Sequence, residues 1–211
     1  MNNSVGNTAR LLAAGLRALL VLTVLCGVLY PLAVTGVAQA AFPSQANGSE
    51  VKDGSGQVVG SALIGQSYGD DPRFFQPRPS AGLGKNSVNT QYELLLSGAS
   101  NKAADNPDLV KAVEEAKAKV LADNTVPGWT PQPAQVPADA VTSSGSGLDP
   151  AISPEYAALQ AHRVAARNGL TVAEVERLIA AHTEGRTLGF MGEPRVNVLE
   201  LNTALRDLTR R

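Results

Sequence analysis

The chain has 211 residues, with 18 lysines and arginines against 19 aspartates and glutamates, and only 4% of its residues are aromatic. A near-neutral chain with so few aromatic side chains lacks the basic surface and the stacking platforms of nucleic-acid-binding proteins, so we expect no nucleic acid partner. The single cysteine, Cys26, excludes an intramolecular disulfide. The two histidines, His162 and His182, lie on different predicted helices with no cysteine nearby, so we expect no metal site.

An uncharged run of 21 residues, Ala18 to Ala38, is the first predicted element. A helix rises about 1.5 Å per residue, so this run spans roughly 30 Å, the thickness of the hydrocarbon core of a bilayer. Arg10 and Arg17 precede the run, and no charged residue follows it until Glu50. Because basic flanks stay in the cytoplasm, the sequence predicts a cytoplasmic N-terminus, a helix in contact with membrane lipid, and a domain outside the cell membrane.

A secretory signal peptide is the alternative interpretation of this run. Ala38-Gln39-Ala40 fits the small-x-small pattern of a cleavage site, and Pro31 could shorten the apolar helix. We favour a retained anchor, because signal peptides have apolar regions of about 7–15 residues and membrane helices tolerate proline kinks. The predicted division is a cytoplasmic tail at residues 1–17, a single transmembrane helix at residues 18–40 and an extracytoplasmic domain at residues 41–211.

Short strands and a long loop are predicted in the first part of this domain. Val58–Val59 and Ala62–Ile64 are short apolar stretches bounded by glycines, which favours strands. The stretch Asp70–Ser87 contains three prolines around the pair Phe74-Phe75, which predicts a long loop. Loops of this length are commonly functional, and exposed paired phenylalanines would be costly, so we expect this loop to be ordered.

Four helices are predicted in the second part of the domain, which makes the fold class α+β. Each has a capping residue at its start. The predicted starts are Asn106-Pro107, Ser153-Pro154 (with an exit at Asn168-Gly169), Thr171 with Glu174, and Asn197 with Glu200.

The serine-rich stretch Ser143–Gln160 resembles an active-site loop but fails the spacing tests. Ser146 has glycine directly on both sides, whereas a nucleophile elbow needs G-x-S-x-G. A Walker A phosphate loop is also absent, because Gly84-Lys85 is followed by asparagine. The favoured interpretation is a flexible turn before a capped helix in a chain without its own chemistry. The alternative is an exported serine hydrolase using Ser144 or Ser146, or another anchored extracytoplasmic domain.

Two loops are the candidate partner interfaces. The first contains Phe74, Phe75 and Arg78, and the second, Glu184–Val196, contains Phe190 and Arg195. The second loop is long for a helix connection and combines an aromatic residue with charges of both signs, which favours an interface.

Five stretches follow in order along the chain and together resemble a known family. They are YPLAVTGVAQAAFPSQANGS, GSALIGQ with RFFQPRPSA, SGASN, SGSGLDPAISPEYAALQAHRVAARNGL and HTEGRTLGFMGEPRVNVLELN. From about Tyr30 to Leu205 the chain is similar to the C subunits of bacterial Kdp potassium-transporting P-type ATPases. The resemblance also supports the retained anchor, because members of that family keep one membrane helix.

This resemblance implies a non-catalytic subunit of an ATP-driven, high-affinity potassium uptake pump. It implies partnership with the potassium-translocating and ATP-hydrolysing subunits, a role in assembly, and a catalytic chaperone effect that raises the ATP affinity of the hydrolysing subunit. It also implies a nucleotide-linked glutamine, which corresponds to Gln160 here; otherwise no cofactor is expected. Arg10 and Arg17 place Gln160 across the membrane from cytoplasmic ATP, so we favour an indirect role and expect Gln160 on a helix surface.

Overall fold

A computed structural model describes residues 5–80, 84–85 and 97–210, with residues 84–85 described as backbone only. The chain divides into two compact units between Ser49 and Glu50. The predicted loop beyond Ser80 lies largely outside the described residues.

The N-terminal unit is one long apolar helix. Helix α1 (Val5–Val24), a π-helical turn (Leu25–Leu29) and helix α2 (Tyr30–Ala41) are continuous, and the short helix α3 (Pro43–Ala46) follows. The continuous helix has 37 residues, its most apolar 18-residue window has a mean hydropathy of 2.3, and it is the one described helix long and apolar enough to cross a membrane. It begins well before Ala18, so the residues predicted as a tail are mostly helical.

Proline at position 31 does not end this helix. In the π-helical turn the Tyr30 N–H donates to the Leu25 carbonyl, five residues earlier. Proline has no N–H and its ring crowds the preceding turn, and a wider turn accommodates that ring. The helix therefore continues through Pro31 without interruption.

Among the described residues of the second unit, short strands form three small sheets. Strand β1 (Glu50–Lys52) pairs antiparallel with β2 (Val58–Ser61), and β3 (Gln66–Ser67) pairs parallel with β4 (Gly84–Lys85). The third sheet has the order β5 (Ala151–Ile152), β7 (Arg195–Asn197), β6 (Thr183–Glu184), all antiparallel. The strand predicted at Val58–Val59 is confirmed. The strand predicted at Ala62–Ile64 is wrong, because those residues form the turn between β2 and β3.

Four longer helices begin where their caps predict. They are α4 (Pro107–Asp123), α5 (Pro154–Asn168), α6 (Val172–Ala181) and α7 (Val198–Thr209). Asn106 and Ser153 accept the capping hydrogen bonds, and Thr171 with Glu174 forms the full reciprocal capping box. Asn197 caps α7 by accepting from the Leu199 and Glu200 N–H groups, so the cap is confirmed through the backbone of Glu200.

The core forms where α5 packs against α6 and β7, with α7 on the same cluster. All four of these elements contribute fully buried apolar side chains, namely Ala157, Val164, Val175, Val196, Leu201 and Leu205. Full burial of each aliphatic side chain of valine or leucine size stabilises the fold by about 1.5–3 kcal/mol. The observed architecture is therefore the predicted α+β class: an apolar N-terminal helix and a domain of short strands and helices.

Candidate functional site: the Gln160 cluster and the hairpin surface

Gln160 lies on the buried face of α5 and is fully inaccessible to solvent. Its Oε1 accepts from the Gln76 N–H at 2.7 Å, and its Nε2 donates to the Gln76 carbonyl at 3.1 Å. The side-chain amide therefore pairs with a backbone segment as a neighbouring strand would. The expectation that Gln160 is a helix-surface residue is wrong.

Arg163, one turn further along α5, completes this cluster. It is 2% exposed, and its guanidinium donates to the carbonyls of Pro72 and Phe74, to Asn124 Oδ1 and to Gln160 Oε1. It forms no salt bridge within the described residues, and burial lowers the pKa of its guanidinium. Such a charge is tolerable because nearly all its donors have carbonyl or amide acceptors.

A cavity of about 330 Å³ lies beside these side chains. Tyr156 lines it, and burial raises the pKa of this tyrosine to about 12. At the same cavity the Lys119 ammonium contacts Asp123 at 2.7 Å and Asp70 at 3.3 Å. The cluster of Gln76, Asn124, Tyr156, Gln160 and Arg163 thus borders a small cavity whose lysine, Lys119, is already paired with carboxylates of the domain.

The predicted first interface loop is largely part of the core. Phe75 is fully buried, and Phe74 packs against Tyr68 with ring centroids 5.4 Å apart. Asn202 on α7 accepts from the Phe75 N–H at 2.8 Å and donates to its carbonyl at 2.9 Å. The loop is therefore ordered, but the Phe75 ring presents no surface to a partner. Asn202 was missed in the sequence because no local motif marks it.

Arg78 joins this loop to the serine-rich stretch. Its guanidinium forms a salt bridge with Asp149 at 2.9 Å and lies 3.4 Å from the carbonyls of Thr142 and Ser143. Ser144 is 1% exposed, and its Oγ accepts from the N–H groups of Gly147 and Asp149. The hydroxyl of Ser144 therefore shapes a turn.

The predicted second interface loop is a β-hairpin, formed by β6, β7 and the residues between them. Phe190 at its tip is 71% exposed. Arg195 donates to Glu184 across the stem at 2.8 Å. Arg195 and Arg78 line one groove of about 620 Å³, so the structure brings together two of the five predicted interface residues, with Phe190 on the hairpin that borders them.

Both histidines have packing partners. The His162 ring stacks on Trp129 with centroids 4.2 Å apart and planes 3° apart, and His182 Nδ1 lies 2.9 Å from the Leu178 carbonyl. Within the described ranges, no group of three or more histidine, cysteine, aspartate or glutamate residues is arranged to hold a metal ion.

The structure defines a class of protein in which an apolar N-terminal helix, long enough to cross a membrane, precedes an α+β domain. The profile of the family described as "KdpC: K+-transporting ATPase, c chain" matches residues 12–207. The chain is 64% identical over 219 residues to the "Potassium-transporting ATPase KdpC subunit" of Streptomyces avermitilis, covering 99% of this chain and 98% of the relative.

Two further relatives carry the same name. The Streptomyces coelicolor protein is 62% identical, covering 99% of this chain and 97% of the relative. The Geotalea uraniireducens protein is 48% identical over 191 residues, covering 90% and 94%. The chain therefore belongs to the family of c chains of K+-transporting ATPases. It is a membrane subunit of a potassium pump and not an enzyme on its own.

Proposed function

We propose that this subunit holds its N-terminus in the cytoplasm and its domain, from Glu50 onward, outside the cell. Arg10 and Arg17 lie at the N-terminal side of the apolar helix, and the next charged residue is Glu50. This asymmetry supports the orientation, because basic residues are retained on the cytoplasmic side. The domain assembles there with the potassium-translocating subunit, and the complex includes the ATP-hydrolysing subunit.

The subunit acts as a catalytic chaperone that raises the ATP affinity of the hydrolysing subunit without contacting ATP. The observation that carries this proposal is the burial of Gln160, whose amide is used in hydrogen bonds to Gln76 and Arg163. A side chain that is inaccessible to solvent and bonded at both amide atoms supports an indirect role better than direct contact with a nucleotide. Assembly instead shifts the affinity through a coupling free energy, typically about 1–3 kcal/mol or 5–150-fold.

Nucleotide labelling of the purified complex tests this proposal. A photoreactive ATP analogue should label the hydrolysing subunit and leave this chain unlabelled. Omission of this chain should lower the apparent ATP affinity by about 5–150-fold. Labelling within α5, residues 154–168, would contradict the indirect role. An unchanged ATP affinity in the complex without this chain would contradict the chaperone role.

A further inference from the structure

The hairpin tip is an exposed and preorganised apolar protrusion. Leu188 is 79% exposed, Phe190 71% and Met191 48%. Thr187 and Met191 form a β-bridge, and Leu188 and Gly189 have φ values of 55° and 82°. A leucine in the left-handed region is uncommon, and its exposed side chain makes the tip unusual for a solvent-facing turn.

Two ion pairs fix the stem beneath this tip. Arg186 contacts Glu193 at 2.7 Å and Arg195 contacts Glu184 at 2.8 Å, each joining the two arms. The pairs are exposed, so each contributes little to stability, but together they leave the stem with balanced charge. The net charge of this surface therefore comes from the groove beside the stem, which Arg78 and Arg195 line.

That groove is acidic. Five carboxylates line it, and three of them, Asp149, Glu184 and Glu193, are paired with arginines. The excess negative charge therefore comes from the other two, Asp139 and Glu155. Asp139 accepts from the Ser153 N–H and Oγ, and neither it nor Glu155 pairs with a cation in the described part of the chain. Thr187 and Met191 also line the groove, so the apolar tip and the acidic groove are contiguous.

We propose that the tip and the acidic groove form one docking surface for a protein segment that carries lysine or arginine beside an apolar pocket. This inference rests on the proposed function and names the chemistry of the partner. A negatively charged lipid surface is disfavoured because it attracts basic segments and repels this groove. A second copy of the chain is disfavoured because it would bring the same carboxylates together. A protein partner with a basic segment would bury the apolar tip and pair its lysine or arginine side chains with the carboxylates of Asp139 and Glu155.

Matched substitutions in the full-length chain, co-expressed with the other pump subunits, test the surface. Phe190→Ser removes the apolar anchor, and Glu155→Lys reverses an unpaired groove charge. Leu63→Ser, at a residue 65% exposed, and Glu176→Lys, on exposed α6 surface, are the controls. We expect both surface variants to reduce recovery of this chain with the purified complex at least tenfold, and both controls to stay within twofold.

A second variant distinguishes the effect of the groove charge on assembly from an effect of the substitution on the stability of the domain. Glu155 lies in the first turn of α5, where a lysine opposes the helix dipole. Should Glu155→Lys lower the unfolding temperature, Glu193→Lys on the exposed hairpin arm reverses another groove carboxylate, and Arg186→Ala, which breaks the same Arg186–Glu193 pair without reversing that charge, is its control. Recovery of either folded lysine variant at the level of the controls would overturn the electrostatic part.

Photo-crosslinking identifies the occupant. With p-benzoylphenylalanine replacing Phe190, an adduct with another pump subunit is the expected result. An adduct with lipid or with a second copy of this chain would overturn the proposal. Normal recovery of every surface variant would also overturn it while leaving the proposed function intact, whereas failure of the wild-type chain to purify with the pump would contradict the proposed function itself.

Discussion

Asn202 on α7 holds both backbone groups of Phe75, a residue 127 positions earlier in the chain, through hydrogen bonds of 2.8 and 2.9 Å. Gln160 on α5 does the same to the next residue, Gln76, at 2.7 and 3.1 Å. Two helices thus clamp consecutive residues of an extended segment with side-chain amides. These side-chain amides supply the hydrogen bonds that the backbone N–H and carbonyl groups of the segment would otherwise lose on burial. The segment can therefore lie in the core.

Asn202→Leu should destabilise the domain strongly. Leucine leaves the Phe75 N–H and carbonyl buried without partners, and each unpaired buried group costs about 1–3 kcal/mol. We therefore expect the free energy of unfolding to fall by about 2–6 kcal/mol. Urea unfolding followed by fluorescence of Trp129, the single tryptophan, measures this change. Gln57→Leu, at an exposed position, is the control and should stay within about 0.5 kcal/mol; equal effects would contradict the clamp.

Gln160→Leu should separate stability from nucleotide binding. The substitution leaves the Gln76 backbone groups and one Arg163 donor without their partner, so unfolding should require less denaturant. Complexes that still contain the folded variant should keep their ATP affinity within about twofold, well under the range typical of allosteric coupling. Measurement of ATP affinity on complexes matched for subunit content checks this. A large loss of affinity in a fully assembled complex would support direct contact.

Alkaline pH should destabilise the domain between about pH 10 and pH 12. Burial raises the pKa of both Tyr68 and Tyr156 from 10.0 to about 12. Below pH 10 both tyrosines are protonated in the folded and the unfolded chain, and the stabilisation is complete. Between pH 10 and pH 12 they lose their protons in the unfolded chain and keep them in the folded one. The unfolding free energy should therefore fall by roughly 2–3 kcal/mol per tyrosine as pH rises through this window.

Tyr156→Phe isolates one part of this pH dependence. The variant removes one titrating hydroxyl, so its unfolding free energy should fall less steeply with pH above pH 10. Equilibrium unfolding of both proteins at several pH values gives the two slopes. Identical slopes in the variant and the wild type would contradict the assignment to Tyr156.

Val24→Lys should prevent assembly through the membrane helix. Val24 lies in the middle of the apolar helix, where a lysine costs about 2.5–3.5 kcal/mol on insertion scales. The matched control is Val5→Lys, at the N-terminal end of the same helix, where the ammonium can remain in water. Quantification of membrane-integrated chain and of purified complex compares them. Normal complex yield from Val24→Lys would contradict a spanning anchor.

Local signals in the sequence predicted the helices well. Caps such as Ser153 and the Thr171–Glu174 pair act within three residues, and the structure contains those hydrogen bonds. The N-terminal helix was also predictable, because the length and hydropathy of its apolar run can be read from the sequence without knowledge of tertiary contacts.

Contacts between residues far apart in the sequence could not be predicted from local sequence patterns. The pairs Gln76–Gln160 and Phe75–Asn202 are separated by 84 and 127 residues, and no spacing rule connects an amide to a distant backbone segment. The two-residue strands β5 and β6 are too short for an alternating pattern, so the hairpin was predicted only as a loop. Phe190 was nevertheless selected from that loop, and its role at an interface stays a prediction.

Membrane topology is the most direct test of the account. A reporter that is active only outside the cytoplasm, fused after Arg211, is measured together with the size of the mature chain. An active reporter on an uncleaved chain is the predicted result, and it would place Gln160 on the opposite side of the membrane from cytoplasmic ATP. An inactive reporter would contradict the orientation inferred from Arg10 and Arg17, and cleavage after Ala40 would contradict the retained anchor.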